Sequence, residues 1–269
     1  MTVTLHGRAC AFGLTFGLVA AAAAAGGAPT GSDTVHYVEG KASASDGHLM
    51  YTESHWIDGD GGHASGLVLY RCPDGKPFAR KTLRDDGSAQ APDFVLDDAR
   101  GGYREGVRSS TGTRTVFVRD SANAKERSAT LKTSPMPVID AGFDAYIRNH
   151  WDTIGKDGDA LPFLVPSRLG TLNFKVKRQA DVQIDGHAAR LYRLSLDSMI
   201  GFALPHLDVA YDARTHDLLS FTGIANIRSS NGKNVDAKII FDPSKDKDVS
   251  RTDLEAATKA PLDGRCQIP

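Results

Sequence analysis

The chain is 269 residues long, with 32 basic and 33 acidic side chains, a formal net charge of −1 and 41% hydrophobic residues. With charge so nearly balanced and the lysines and arginines dispersed, no global field draws in nucleic acid or an anionic membrane surface, and neither is expected as a partner. The length suffices for one substantial core or two small ones.

The first element is a leader. Arg8 precedes an apolar run from Ala9 to Ala25 that closes on a tract of alanines. A basic start, an apolar middle and a small-residue exit mark a secretory signal peptide. Ala23 and Ala25 satisfy the small-x-small rule and place cleavage after Ala25. The competing reading is a buried helix or uncleaved anchor, but the run is barely long enough to span a bilayer. Cys10 stands at the head of the apolar run, with the apolar residues following it rather than leading up to it, the wrong order for lipidation. The expected organisation is a signal peptide at 1–25, a flexible lead-in at 26–34 and a single β-rich domain at 35–269. The location is then periplasmic or secreted, with no stable membrane span after cleavage.

Cleavage leaves two cysteines, Cys72 and Cys266. An even count in an exported chain predicts a disulfide. Closing so long a loop stabilises by up to ~5 kcal/mol on the loop-entropy model.

Short alternating runs follow: "LMYTESHWI", "SGLVLYRC", "KPFARKTL", "DFVLDDA", "GYREGVR" and "TRTVFVRD". Each reads as a strand. Asp46-Gly47, Asp58-Gly59, Asp60-Gly61, Asp74-Gly75, Asp86-Gly87 and Gly101-Gly102 separate them and suit tight turns. One segment then changes period. Ile139, Phe143, Tyr146, Ile147, Trp151 and Ile154 fall on one helical face, opposite Asp144, Arg148, Asn149 and Asp152. This predicts a helix from Asp140 to Ile154, with Asp140 as N-cap and Gly155 as stop. Strands resume with "TLNFKVKR", "ARLYRLSL", "HLDVAYD", "LLSFTGIANIR" and "NVDAKIIFD", and "VSRTDLEAATKA" suggests a brief helix. Short connections predict antiparallel neighbours.

The stretch "IRSSNGKNV" carries Ser230 and Lys233 at the Ser-x-x-Lys spacing of certain serine enzymes. It also carries Asn231-Gly232, a hairpin signal. A three-residue loop, Ser230-Asn231-Gly232, sets Ile227 opposite Val235 and Phe221 opposite Phe241. A two-residue loop would oppose apolar to acidic side chains instead. Register therefore selects the longer loop with a left-handed Gly232. The serine and lysine then sit on a loop and its exit strand, not on a helix turn as catalysis requires.

Other chemical candidates are thin. His55, Asp58, Asp60 and His63 around "DGDGGH" could share a metal, but the residue twelve positions into an EF-hand register is Leu69, and a solvated turn is the favoured reading. No Gly-x-Ser-x-Gly elbow, phosphate loop or His-Glu-x-x-His motif occurs, so no catalytic residue, cofactor or metal is assigned. The stronger constellation is apolar. Phe143, Trp151, Phe163, Phe174, Tyr192, Phe202 and Phe221 are candidates to line a cleft on a curved sheet, with "SMIGFALPHL" as its mouth. The alternative is that they simply pack beneath the helix.

From Pro137 onward, one helix precedes long antiparallel strands ending in "YDARTHDLLSFTGIANIRSSNGKNVDAKIIFD". With the aspartate hairpin at Asp212 to Leu218 and the Gly-x-x-Asn plus Asn-Gly-Lys hairpin at Gly223 to Lys233, this layout resembles the periplasmic lipoprotein-carrier (Lol-type) family. The resemblance covers roughly the second half. It implies an open, strongly curved sheet capped by helices that holds acyl chains; the family's arginine for partner release cannot be mapped here. The predicted fold is mainly antiparallel β, a large curved sheet or half-barrel with one principal amphipathic helix packed on it. The expected role is non-enzymatic: binding a hydrophobic small molecule or lipid, or maintaining the envelope. A hydrolase with a site assembled from separated residues and a structural interaction module are the alternatives.

Overall fold

Alternating side chains and glycine corners give a meander, and the computed structural model describes it for residues 33–59, 65–84, 88–198 and 206–269. The predicted signal peptide, nearly all of the lead-in, and Asp60, His63, Asp86, Met199, Ile200 and Phe202 lie outside the described residues. The first eight strands are β1 (Thr34–Ser43), β2 (Leu49–Asp58), β3 (Ser65–Arg71), β4 (Pro77–Arg84), β5 (Asp93–Asp98), β6 (Tyr103–Ser110), β7 (Thr113–Arg119) and β8 (Arg127–Thr130). Helix α1 (Gly142–Asn149) follows, then β9 (Asp159–Val165), β10 (Gly170–Arg178), β11 (Val182–Ile184), β12 (His187–Leu196), β13 (Leu207–Asp212), β14 (Leu218–Arg228), β15 (Asn234–Phe241) and β16 (Lys247–Ser250). Helix α2 (Arg251–Lys259) starts on a capping box between Ser250 and Asp253. Among the described residues no helix is long and apolar enough to cross a membrane.

The sixteen strands form one unclosed sheet in the order β8-β7-β6-β5-β4-β3-β2-β1-β15-β14-β13-β12-β10-β9, with β11 on β12 and β16 on β1. Neighbours are antiparallel, as short connections require. The seam between the two halves is long-range: Gly40 faces Phe241 and Ala42 faces Ile239. The alternation in the sequence did not mark β1, and the seam explains why. A Cβ on Gly40 would lie 2.7 Å from the Phe241 ring, so a small residue occupies the centre of the sheet where a bulky one is the usual strand signal. The short or edge strands β8, β9, β11 and β16 were likewise unmarked.

Cross-interior contacts measure the curvature. Six strand spacings separate β5 from β14, about 29 Å around the sheet at ~4.8 Å each. Yet Arg100, just beyond β5, donates from Nη2 to the Arg228 carbonyl at the end of β14 over 2.7 Å. The Arg228 guanidinium in turn stacks 3.6 Å from the centre of the Tyr103 ring on β6. The sheet must curl for single side chains to bridge it. The inner face carries two linked cores: Tyr51, Tyr70, Phe78, Leu96 and Ile239 in one, Tyr192, Val209 and Tyr211 under α1 in the other. On the outer face α2 covers Trp56, Leu67 and Leu69.

The helix differs from its prediction at both ends. It spans Gly142–Asn149, its N-cap position is Ala141 without a side-chain cap, and its C-cap is His150. Asp140 is not the cap. Its backbone is left-handed (φ 47°) and its carboxylate turns inward to Lys81 and Asn226. Gly155 is not the stop, because the chain has already turned through Trp151 to Thr153. Trp151 and Ile154 remain buried nonetheless.

The β14–β15 hairpin has the predicted loop. Ser229 N donates to Lys233 O (2.7 Å), Gly232 is left-handed at φ 79°, and Arg228 faces Asn234; the expected pairing of Ile227 with Val235 falls inside an irregular stretch, where Ala225, Asn226 and Ile227 together lie opposite Val235. The expected pairing of Phe221 with Phe241 is corrected: Phe221 faces Ile239, because β14 bulges between Ile224 and Arg228. Asn234 Nδ2 fills the bulge by donating to Ala225 O (2.7 Å). A two-residue slip keeps every side chain on its own face. Gly232→Ala is expected to cost ~1 kcal/mol through its positive φ alone, since open space surrounds the missing Cβ; urea denaturation of the variant checks it.

Cys72 and Cys266 are bridged, with Cα atoms 5.6 Å apart. The bridge anchors a C-terminal strap. Gly264 N donates to Pro77 O (2.8 Å), and Ile268, fully buried, enters the inner core. Ser230 donates from both N (2.8 Å) and Oγ (3.1 Å) to Ile268 O. The serine of the Ser-x-x-Lys spacing thus clasps the tail to a hairpin tip.

Candidate functional site

The candidate cleft residues fall on one continuous apolar face. Along β9, β10, β12, β13 and β14, register aligns Phe163 with Leu172, Phe174 with Leu196, Leu194 with Leu207, and Val209 with Phe221. One end of this face lies under α1. Phe143, Tyr146, Ile147 and Trp151 are buried there against Leu161, Val176, Tyr192, Leu194, Val209 and Tyr211. Trp151 is the best-held of them. Its indole lies between the His216 ring (3.7 Å, stacked) and the Arg190 guanidinium (4.6 Å), with Tyr192 at 5.8 Å and Tyr211 at 6.3 Å. Arg190 and the Tyr192 hydroxyl both donate to its carbonyl.

The other end of the face is only partly covered. Phe163, Leu172, Phe174, Leu196, Leu207 and Phe221 are all half-buried. Phe163 touches Phe143 edge-on at 6.1 Å and Phe174 at 5.7 Å, joining this row to the helix. The structure therefore brings together Phe143, Trp151, Phe163, Phe174, Tyr192 and Phe221; Phe202 lies outside the described residues. Two open surface depressions lie elsewhere, of about 340 Å³ at Ser109–Gly112 and Arg114 and about 210 Å³ between Glu39, Lys41, Asp185, Ile240, Asp242 and Lys245. Of the four residues around the Asp-Gly turn, Asp60 and His63 lie outside the described residues, His55 contacts Glu53 (2.9 Å) and Asp58 holds Arg251 (2.6 and 2.9 Å).

A second feature escaped sequence reasoning. Inside the first half of the sheet a polar island interrupts the apolar core. Glu53 (β2), Tyr70 (β3), Lys81 (β4), and Tyr103 and Glu105 (β6) are all buried on the inner face. Asp140 enters from the lead-in to α1, and Lys81 Nζ donates to its Oδ2 over 2.8 Å. Asn226 of β14 donates to the other carboxylate oxygen. The signal was present in the alternation: Glu105 is in phase with Tyr103 and Val107, an acid at an inward position.

Burial pushes the Glu105 carboxyl up from 4.5 to about 7, against the Tyr103 hydroxyl, which donates to it over 2.5 Å. Burial likewise raises the Tyr70 phenol well above its usual range. For an acid raised on folding, the native state favours the protonated form. The stability it contributes is present below about 4.5, falls as pH rises, and is gone above about 7. Glu105→Gln should therefore flatten the stability–pH profile across that window and relieve about 3 kcal/mol at pH 8. Urea denaturation of both proteins from pH 4.5 to 8 measures it; parallel profiles would refute it.

The fold and the face define a class: an open, curled antiparallel sheet whose inner apolar surface is partly covered by one helix. No protein-family model and no curated relative matches the chain. Among solved structures it is similar to a provisionally assigned lipoprotein of Parabacteroides distasonis ATCC 8503, with TM-score 0.33 and 9% identity over 80% of this chain and 96% of that one. It is also similar to a provisionally assigned outer membrane lipoprotein-sorting protein domain of Vibrio parahaemolyticus, with TM-score 0.29 and 9% identity over 84% and 90%. The second, a lipoprotein-sorting domain, is in keeping with the lipoprotein-carrier layout that the sequence resembles. At these scores the likeness carries no argument about what this chain binds.

Proposed function

We infer that the protein is exported to the periplasm or the medium and there holds a hydrophobic molecule of acyl-chain type on the inner face of its sheet. The observation that carries the reading is the row Phe163, Leu172, Phe174, Leu196, Leu207 and Phe221, half-buried beyond the edge of α1. An apolar row continuous with a packed core gains free energy from any apolar cover, at roughly 25 cal/mol per Å² removed from water. The predicted leader and the disulfide support the exported location. The aromatic residues offer wide, stiff surfaces and no charged group that would demand a specific head group.

Native mass spectrometry of protein purified from its own cells tests this directly. A co-purified lipid mass is expected. A fluorescent fatty acid should bind the delipidated protein and lose affinity roughly tenfold in Phe174→Ser, as for a lost buried aromatic contact. No adduct, together with equal probe binding by wild type and variant, would overturn the reading.

A further inference from the structure

The polar island meets α1 at one residue. Asp140 sits immediately before the helix, and its carboxylate is the point at which that segment is tied to the sheet by side-chain hydrogen bonds, to Lys81 on β4 and to Asn226 on β14. Among the described residues Lys81 pairs with Asp140 and with no other carboxylate. Glu105 is equally buried, but its hydrogen-bond partner is the neutral Tyr103 hydroxyl and it makes no ion pair. Lys81 and Glu105 flank Leu96 in one cross-strand row and so project from the same face; the other titratable or charged groups beside Glu105 are Tyr103, which donates to it, Arg228 of β14, which stacks on Tyr103, and Asp140, which Lys81 holds. Glu53 on β2 and Glu105 both act on Tyr70 of β3. The cross-strand neighbours of Glu105 on β5 and β7, Leu96 and Val118, are apolar. Arg228 is already occupied, stacked on Tyr103 and 3.5 Å from Asp120.

We propose that Glu105 is a buried proton switch for the docking of α1, acting through the Lys81–Asp140 anchor. With Glu105 neutral, Lys81 serves Asp140 alone and the lead-in is held. With Glu105 ionised, a second anion repels Asp140 and competes for the same ammonium, and water screens neither effect in a buried site. The anchor then weakens while the strands keep their ladders. The proton leaves to solvent, and no other group changes. The pH at which this happens lies near neutrality, within the range of an envelope compartment.

Hydrogen exchange read by mass spectrometry on peptides spanning 138–154 tests the switch without any ligand, so its outcome is separate from that of the lipid experiment. Rates are taken at pH 6 and pH 8 and corrected for intrinsic exchange. The wild type should lose about tenfold protection in this segment at pH 8 while peptides of β2–β6 keep theirs, the pattern of a local opening. Glu105→Gln should stay protected at both values, and Lys81→Met should be exposed at both. Protection that does not change with pH in the wild type, a pH response retained in Glu105→Gln, or an equal loss in the β2–β6 peptides each overturns the proposal.

Discussion

Trp151→Ala lowers the stability of the protein by ~3–5 kcal/mol, the cost of truncating a buried aromatic to a cavity. The residue earns that figure by position. It lies one residue past the C-cap of α1, so it has no helix hydrogen bond of its own, yet only 6% of it is exposed. Removing the indole leaves the His216 ring and the Arg190 guanidinium without the surface they stack on, and opens a gap against Tyr192 and Tyr211. A domain with ordinary marginal stability would be brought close to unfolding. Thermal melting and lipid-probe affinity should be measured on the same variant. A large fall in melting temperature identifies a structural anchor. A change in probe affinity with little change in melting identifies a mobile cover over a ligand. If neither moves, α1 does not depend on Trp151 for its seat.

Replacing Cys72 and Cys266 together by serine costs up to ~5 kcal/mol, because the bridge closes a loop of 194 residues in the unfolded chain. The native state also loses something specific. The strap from Ala260 to Pro269 is held by Gly264 on Pro77, by the arginine contact from Arg80 to Ala260 O, by Ile268 in the core and by Ser230. Without the covalent tie these become a short segment that opens independently of the sheet. Urea denaturation gives the global figure, and trypsin cleavage at the exposed Arg265 reports release of the strap. A loss below ~1 kcal/mol with unchanged cleavage would show that Ile268 and Ser230 hold the tail without the bridge. Alkylation of unfolded, non-reduced wild type should label neither cysteine.

The sequence disclosed what depends on local pattern. Strands flanked by Asp-Gly corners were legible because alternation and turn chemistry agree there. The Ser230–Gly232 loop was legible because a one-residue slip would have inverted a face. The apolar side of α1 was legible from its spacing, but its start was not: Asp140 has the chemistry of a cap, and the buried Lys81 outcompetes the helix N-terminus for it. The bulge that moves Phe221 to Ile239 was hidden because a slip of two preserves the hydrophobic pattern. The cleft residues could be named as a group, since period-two strands put them on one face, but which of them a helix would cover depends on tertiary packing. The polar island was the hardest to see, being assembled from β2, β3, β4, β6, β14 and the α1 lead-in, with only the inward phase of Glu53 and Glu105 to betray it.

The placement of β1 beside β15 bears on how the molecule comes into being. A chain delivered N-terminus first presents β1 before the other fifteen strands, yet its partner Phe241 arrives about 200 residues later. The hairpins from β2 to β8 can zip as they emerge, since each closes on its neighbour. The centre of the sheet cannot, and until β15 appears, that side of β1 remains an open strand edge. Such high-separation pairing is slow, and open edges invite association with other chains. The small, polar character of β1, with Gly40 and Ala42 where bulky residues are common, makes that waiting edge a poor template for aggregation. Substituting valine at Ala42 would thus burden the newborn chain as well as crowd the finished one.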